Sequence, residues 1–594
     1  MHFASTLQVH KISINGKAQK AEKMNQITSN EFKRLLNQPQ KIDNNKITEP
    51  LGVVGNGFVH DIIIKDCVFC KTVEISNSRF FKSLTIENCT FEKGVYLNSI
   101  EIQGEFKFNS CSFADEVIFK DLILAGFKII KTNFKYLLFT GYLKNNAIKN
   151  EEVSFLDSYS QKVEFDDLEC NKIIRLKDLQ TGSLNIYRSN FHSELSFGNF
   201  ENEENFYADN VYFLSSKFHE RVDFYNGKIE ERFDFHKVEF EEQVVITRNI
   251  EIKSINFTEI RAKLNVSIDF QDNFESLEFC DCWFNSSLTV HNFEKLTSYS
   301  KSVSINFAGV IYGNYIIEEI PTISIDISCI NFGNIIFHNI DTKFIILNRF
   351  FNYNKLFFNS IRYNDKYNIL VIYDSNIGNT EFENIDFRKF NEVVIVKSDV
   401  SNMLLTNSLF PKNIQIKSKA PRLGYEIPEL EKINDDMYFR DSYRQLKVAM
   451  EKMGNRYYSL RYKSKEMYYQ RKELKWGSDK ILLYINYISN NNGISWIRGI
   501  FFTLACAFIA FLVLNSKRTN PLFYWTFSTS ITQSCEAFKI GFKSYISFIS
   551  SYPIFKIENI NSSWAVDFII LLTRIFVSVG IYQTIVAFRK YGYK

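Results

Sequence analysis

The chain has 594 residues, too many for one compact core, so it must fold as several domains or as one elongated repeat architecture. Phe contributes 58 residues, Gly 23 and Pro only 8, a balance that suits a solenoid stacking identical positions better than a large globular enzyme. Lys+Arg 71 against Asp+Glu 67 gives a formal charge of +4, which excludes the strongly basic profile of a nucleic-acid binder.

The first 23 residues lack the apolar core of a secretory signal, so the N-terminal part is expected in the cytoplasm. Ten cysteines are then expected as buried thiols rather than disulfides. Residues 1–49 read as an N-terminal segment or cap.

From Asp66 to Phe119 the sequence repeats in steps of eleven. One column holds Phe69, Phe80, Phe91, Ile102 and Phe113. Four positions later stand Val73, Leu84, Val95, Phe106 and Val117, and two beyond those Ile75, Ile86, Leu97, Phe108 and Phe119. The second half of each unit alternates with period two, the mark of a strand with one buried face. Cys67, Cys89 and Cys111 fall two units apart, which predicts 22 residues per turn. Asp66, Asn77, Asn88, Ser99 and Ser110 precede that small-residue column and are expected to close corners.

The same offsets return at Phe218, Ile229 and Phe240, and again around Phe191 and Phe284. Beyond Ser300 the pattern loosens into Ile/Asn/Phe-rich runs that remain β-like. The solenoid is expected over residues 50–420, with about 17 turns and a length on the order of 80 Å. The inward Phe or Leu at fixed period, with Asn, Asp, Cys and Ser around it, resembles the pentapeptide-repeat proteins. That resemblance implies a right-handed parallel β-helix, although the unit here is eleven long where two pentapeptides give ten. The expected fold class is therefore mainly β, followed by a helical linker and two transmembrane helices.

At Ala420-Pro421 the grammar changes. Residues 421–478 read as a helical linker in which Tyr443, Leu446, Met450, Met453, Tyr457 and Leu460 are spaced 3, 4, 3, 4, 3. Two readings stay open: a helix or hairpin, broken at Gly454-Asn455, packing on the end of the solenoid, or an oligomerising coiled coil. The stretch from Tyr443 to Met467 resembles linkers that join β-helical sensor regions to membrane segments in bacterial proteins.

Residues 479–594 read as a membrane domain. Asp479 to Ser489 is an amphipathic lead-in, Ile494 to Leu514 a first span with Arg498 near its end, and Ala565 to Phe588 a second. The second span carries Asp567 and Arg574, about 10 Å apart on one helix face, as candidate anchors or pore-lining groups. Residues 521–550 between the spans suit a re-entrant or interfacial helix. Helix, short helix, helix and a basic tail resemble the two-span pore module of bacterial potassium-type channels, but no TVGYG-like filter follows Phe523 to Thr532. Lys480, Arg498, Arg589, Lys590 and Lys594 outweigh Lys517, Arg518 and Lys556, which favours both termini inside.

No phosphate loop, nucleophile elbow, zinc-protease helix or dinucleotide loop is present, so no catalytic, cofactor or metal residues are assigned and no enzyme activity is expected. The acidic runs at Glu201-Glu203-Glu204 and Glu239-Glu241-Glu242 read as solvated faces, and Cys280 with Cys282 as core or corner. The expectation is a multi-pass protein of the bacterial inner membrane, with a cytoplasmic solenoid that binds a protein partner and a chain that self-associates. The alternative is an oligomeric pore-forming effector, acting in stress or phage defence.

Overall fold

A computed structural model describes residues 24–145, 153–198, 205–247, 249–269, 274–291, 303–363, 368–411, 436–517, 531–555 and 563–592. Strand makes up 49% of the described residues and the rest of their regular structure is helical, so the fold is a mainly β parallel solenoid of about 16 turns followed by helices. Two compact units are distinguished: Met1–Asn391 with Leu405–Leu409, and Glu392–Leu404 with Phe410–Lys594.

In the first unit each strand pairs in parallel with the strand one turn on. Val73 lies beside Val95 and Val95 beside Val117, and Leu84 lies between Ile62 and Phe106, so the turn is 22 residues as the cysteine spacing predicts. Stacking at the strand spacing brings like rings together. Phe69, Phe91, Phe113 and Phe134 form one pile with centroids 4.6, 4.6 and 4.8 Å apart and planes within 5°. Phe58 and Phe80 begin a second pile in the alternate units, at 4.7 Å. These offset ring pairs add about 0.5–1.5 kcal/mol each beyond the burial of their area.

The corners explain the polar column. Asp66, Asn77, Asn88, Ser99 and Ser110 all adopt left-handed backbone, with φ between 49° and 57°. Asn, Asp and Ser tolerate that region better than bulky residues because their side chains are short and can bond locally. The small residue that follows turns inward and returns its hydrogen to the carbonyl two residues back. Ser78 Oγ bonds Ser76 at 2.9 Å, Thr132 Oγ1 bonds Ile130 at 2.8 Å, and Ser189 Oγ bonds Tyr187 at 2.6 Å. Cys67 and Cys89 make the weaker thiol version at 3.2 Å, so these cysteines belong to corners. Cys282 does the same toward the Cys280 carbonyl at 3.3 Å.

The coil starts earlier than residue 50. Asn25–Ile27 already pairs with Asn45–Ile47, and helix α1 (Ser29–Leu36) is inserted between them. A Thr28–Glu31 capping box starts α1, and Phe32 packs edge-on against Phe69 at 5.4 Å, so α1 buries its apolar face in the core of the first turns. Past Ser300 the coil continues where the eleven-residue columns fade. Phe307 stacks on Phe279 at 5.0 Å, and Phe337, Phe358 and Phe382 form a late pile at 4.8 and 5.3 Å. Turn length alone drifts, since Phe279 pairs with Phe307 and Phe307 with Ile327.

In the second unit, α2 (Asp436–Lys452) and α3 (Arg456–Glu473) form an antiparallel hairpin. Gly454, at φ +70°, makes the turn. Then come α4 (Ser478–Asn490), α5 (Trp496–Ser516), α6 (Ile531–Ser550) and α7 (Trp564–Gly592). Helices α5 and α7 are long and apolar enough to cross a membrane, and α5 and α7 pack on one another.

Candidate functional site

The six residues of the 3-4 seam do not share one helix. Tyr443, Leu446 and Met450 lie on α2 and are fully buried, Met453 sits in the turn, and Tyr457 and Leu460 fall on α3 with Tyr457 well exposed. Left-handed Gly454 reverses the chain in the middle of the spacing, the break at Gly454-Asn455 that the hairpin reading includes. The buried residues are used inside the unit. Tyr443 stacks on Tyr469 at 5.7 Å, Lys447 pairs with Glu466 at 2.9 Å, Arg440 with Glu473 at 2.5 Å, and Ser442 Oγ donates to the carbonyl of Ile395 in strand Glu392–Val396.

Asp567 lies in the first turn of α7 and Arg574 two turns further on, and both are exposed. They are joined by no bond: Arg574 Nη2 donates instead to the Ile554 carbonyl, 3.0 Å away in the turn after α6. Residues 523–530, ahead of the position at which a channel filter would stand, lie outside the described residues, as do Glu201, Glu203 and Glu204.

On the flank of the coil, Glu239 and Glu241 are held by cations. Lys263, Lys217 and His219 hydrogen-bond Glu241 at 2.8, 3.0 and 2.9 Å and hold its carboxyl down to about 2. Glu239 stands between Lys217 and Arg261 at 3.8 and 3.7 Å. Carboxylates and cations alternating in this way form a charged ladder on the surface of the coil.

That ladder leads to a feature the repeat columns do not reveal. Asn190, Lys217, Glu239, Arg261, Trp283 and Tyr312 stand one above the other at one outward position on successive turns. At Trp283 the column becomes aromatic. Trp283, Tyr312, Phe332 and Tyr353 stack with centroids 4.9, 5.2 and 5.0 Å apart. Trp283, Phe332 and Tyr353 remain 47%, 43% and 66% exposed, and Phe351 and Ile330 beside them are exposed as well. Four ordered rings spanning roughly 15 Å, or three strand spacings, give an apolar strip facing water, the kind of surface that marks recognition. Among the described residues no group of three His, Cys, Asp or Glu comes together as a metal site.

No known protein family, curated protein or solved structure matches this chain. The resemblance to pentapeptide-repeat proteins therefore rests on the sequence columns alone.

Proposed function

We propose that this protein is a membrane-anchored scaffold or sensor whose solenoid binds a protein partner. The observation that carries the reading is the exposed Trp283–Tyr312–Phe332–Tyr353 ladder, since aromatic side chains on a rigid strand surface are typical recognition anchors. Rigid strands hold the rings before contact, which lowers the entropy lost on binding. In this reading α5 and α7 hold the chain in the bacterial inner membrane, with both ends on the cytoplasmic side. The test replaces Trp283, Phe332 and Tyr353 together by Ser in the full-length protein. A partner recovered with the wild type and lost with the variant supports the reading, provided far-UV circular dichroism is unchanged. Identical recovery contradicts it.

A second reading, an oligomeric pore, is favoured by one observation. Asp567 and Arg574 are exposed within the long hydrophobic stretch of α7, and charge at membrane depth seeks protein or water. Dye release from liposomes carrying the full chain distinguishes the two: leakage abolished by Arg574→Leu supports the pore, and intact liposomes oppose it.

A further inference from the structure

Between α3, the end of α4 and the residues that lead into α5 lies a cavity of about 570 Å³, within the size range of small-molecule sites. Its lining includes Tyr457, Arg461, Ser464, Lys465, Tyr487 and Asn492, and no Asp or Glu contributes to it. The charges around it are uncompensated. Elsewhere in the hairpin Lys447, Arg440 and Lys472 have carboxylate partners. Arg461 and Lys465 have none among the described residues; Arg461 Nη1 donates to the Tyr457 hydroxyl at 3.0 Å. Four apart on α3, they present two like charges on one helix face, an arrangement that destabilises an empty helix. Burial, with the Arg461 charge second, pushes the Lys465 ammonium below the usual lysine range.

Two buried groups add to this. Arg471 is only 6% exposed, yet its Nη1 has no hydrogen-bond partner, and its guanidinium lies over Tyr468, Tyr484 and Tyr487 at 5.5, 4.8 and 4.2 Å. Tyr468 and Tyr487 line the cavity, so a third positive charge stands behind its wall. Asn492, also 6% exposed, donates Nδ2 to Ser464 at 3.3 Å while its Oδ1 accepts nothing. That oxygen suits a hydroxyl hydrogen beside an anion.

Location identifies the anion. Asn491, Asn492 and Ile494 form part of the lining and immediately precede α5, and Arg498 in the first turn of α5 lies over Tyr487 at 5.9 Å. If α5 spans, these residues sit at headgroup depth, where anionic lipid phosphates are concentrated and aromatic and basic side chains gather. We propose that this cavity binds the phosphate of an anionic phospholipid with a hydroxyl-bearing headgroup, with Arg461 and Lys465 facing the phosphate and Asn492 accepting from the headgroup hydroxyl. The inference rests on the reading of α5 as a span.

The test is native mass spectrometry of the full-length protein released from detergent, exposed to equal concentrations of phosphatidylglycerol and phosphatidylcholine, with inorganic phosphate in a separate arm. Phosphatidylglycerol is expected to be retained at least tenfold over phosphatidylcholine. The Arg461→Gln, Lys465→Gln double variant is expected to lose that preference, and Lys463→Gln, an exposed lysine on the same helix, to keep it. If the double variant does not fold, Lys465→Met alone carries the comparison. Equal retention of both lipids, or a preference that survives Lys465→Met and the double change, overturns the site. Retention of inorganic phosphate without phosphatidylglycerol overturns the lipid source. A protein that is soluble without detergent removes the span, and the proposal with it; a protein that inserts without discriminating sinks the site alone.

Discussion

Gly499 on α5 lies so close to Thr584 on α7 that a β-carbon at Gly499 would come within 2.4 Å of Thr584 Oγ1. The relation is reciprocal: a β-carbon at Gly580 would come within 2.2 Å of Thr503 Oγ1. Thr503 and Thr584 return their hydroxyl hydrogens to the carbonyls of Gly499 and Gly580, each at 2.8 Å. Two small-xxx-small pairs thus face one another on antiparallel helices, the contact that holds spans together where burial of apolar area supplies no drive. Gly499→Val is expected to destabilise the helix pair by about 1–3 kcal/mol through overpacking, and Thr584→Gly in the same chain to recover part of the loss. Thermal unfolding in detergent measures both, and equal melting of Gly499→Val and wild type contradicts the contact.

Asn490 and Gln583 lock α4 to α7 in the same region. Asn490 Nδ2 donates to the Gln583 carbonyl at 3.2 Å and to its side chain, and Gln583 Nε2 donates to Asn486 Oδ1 at 2.7 Å. Gln583→Leu removes the side-chain acceptor of Asn490 and the donor to Asn486, leaving Asn490 only the main-chain carbonyl at position 583, and is expected to cost about 1–3 kcal/mol. Proteolysis near Gly493 should accelerate in that variant, and an unchanged cleavage rate opposes the link.

Corners of the coil distinguish side chains by backbone alone. Asn77 has φ 49°, so Asn77→Val is expected to destabilise by about 1–2 kcal/mol while Asn77→Gly changes stability little. Denaturant unfolding of the two variants gives the difference. A valine variant as stable as the glycine variant contradicts the left-handed corner.

Phe91 stands between Phe69 and Phe113, so Phe91→Ala removes two ring contacts and opens a cavity in the pile. A loss of about 3–5 kcal/mol is expected. Phe91→Leu, which keeps the core apolar, should lose clearly less, and calorimetry of both variants checks the order.

Burial pushes the carboxyl of Asp326 up from 3.8 to about 6, and its Oδ1 lacks a hydrogen bond. Below about pH 3.8 the group is neutral in both states and carries no penalty. Between 3.8 and 6 the unfolded chain ionises first, so stability falls, and above about pH 6 the full penalty is present. Asp326→Asn is therefore expected to stabilise at pH 8 by roughly 1–3 kcal/mol and to add nothing at pH 3. A gain of equal size at both values contradicts the burial of a charge.

Local periodicity made the coil legible: the Phe69 and Val73 columns, the corner residues and the cysteine spacing all follow from repeating one unit. The two long apolar helices were legible for the same reason, since hydropathy is local. The aromatic ladder was not, because Trp283, Tyr312, Phe332 and Tyr353 are 29, 20 and 21 residues apart and no fixed period aligns them. Insertions after Phe284 lengthen one turn, while parallel pairing keeps the outward position in register. The seam shows the converse. Spacing of 3 and 4 joins Tyr443 to Leu460 across a residue whose left-handed turn reverses the chain, and spacing alone cannot distinguish one long helix from two short ones. The break at Gly454-Asn455, which the glycine itself suggests, is the reading the structure bears out.

The claim that the solenoid is carried by two spans is tested most directly by alkaline extraction of membranes containing the full-length chain. The account expects the protein to stay in the membrane pellet after a carbonate wash and to leave it only with detergent. Quantitative release by carbonate would place α5 and α7 in a soluble core and contradict the membrane anchor.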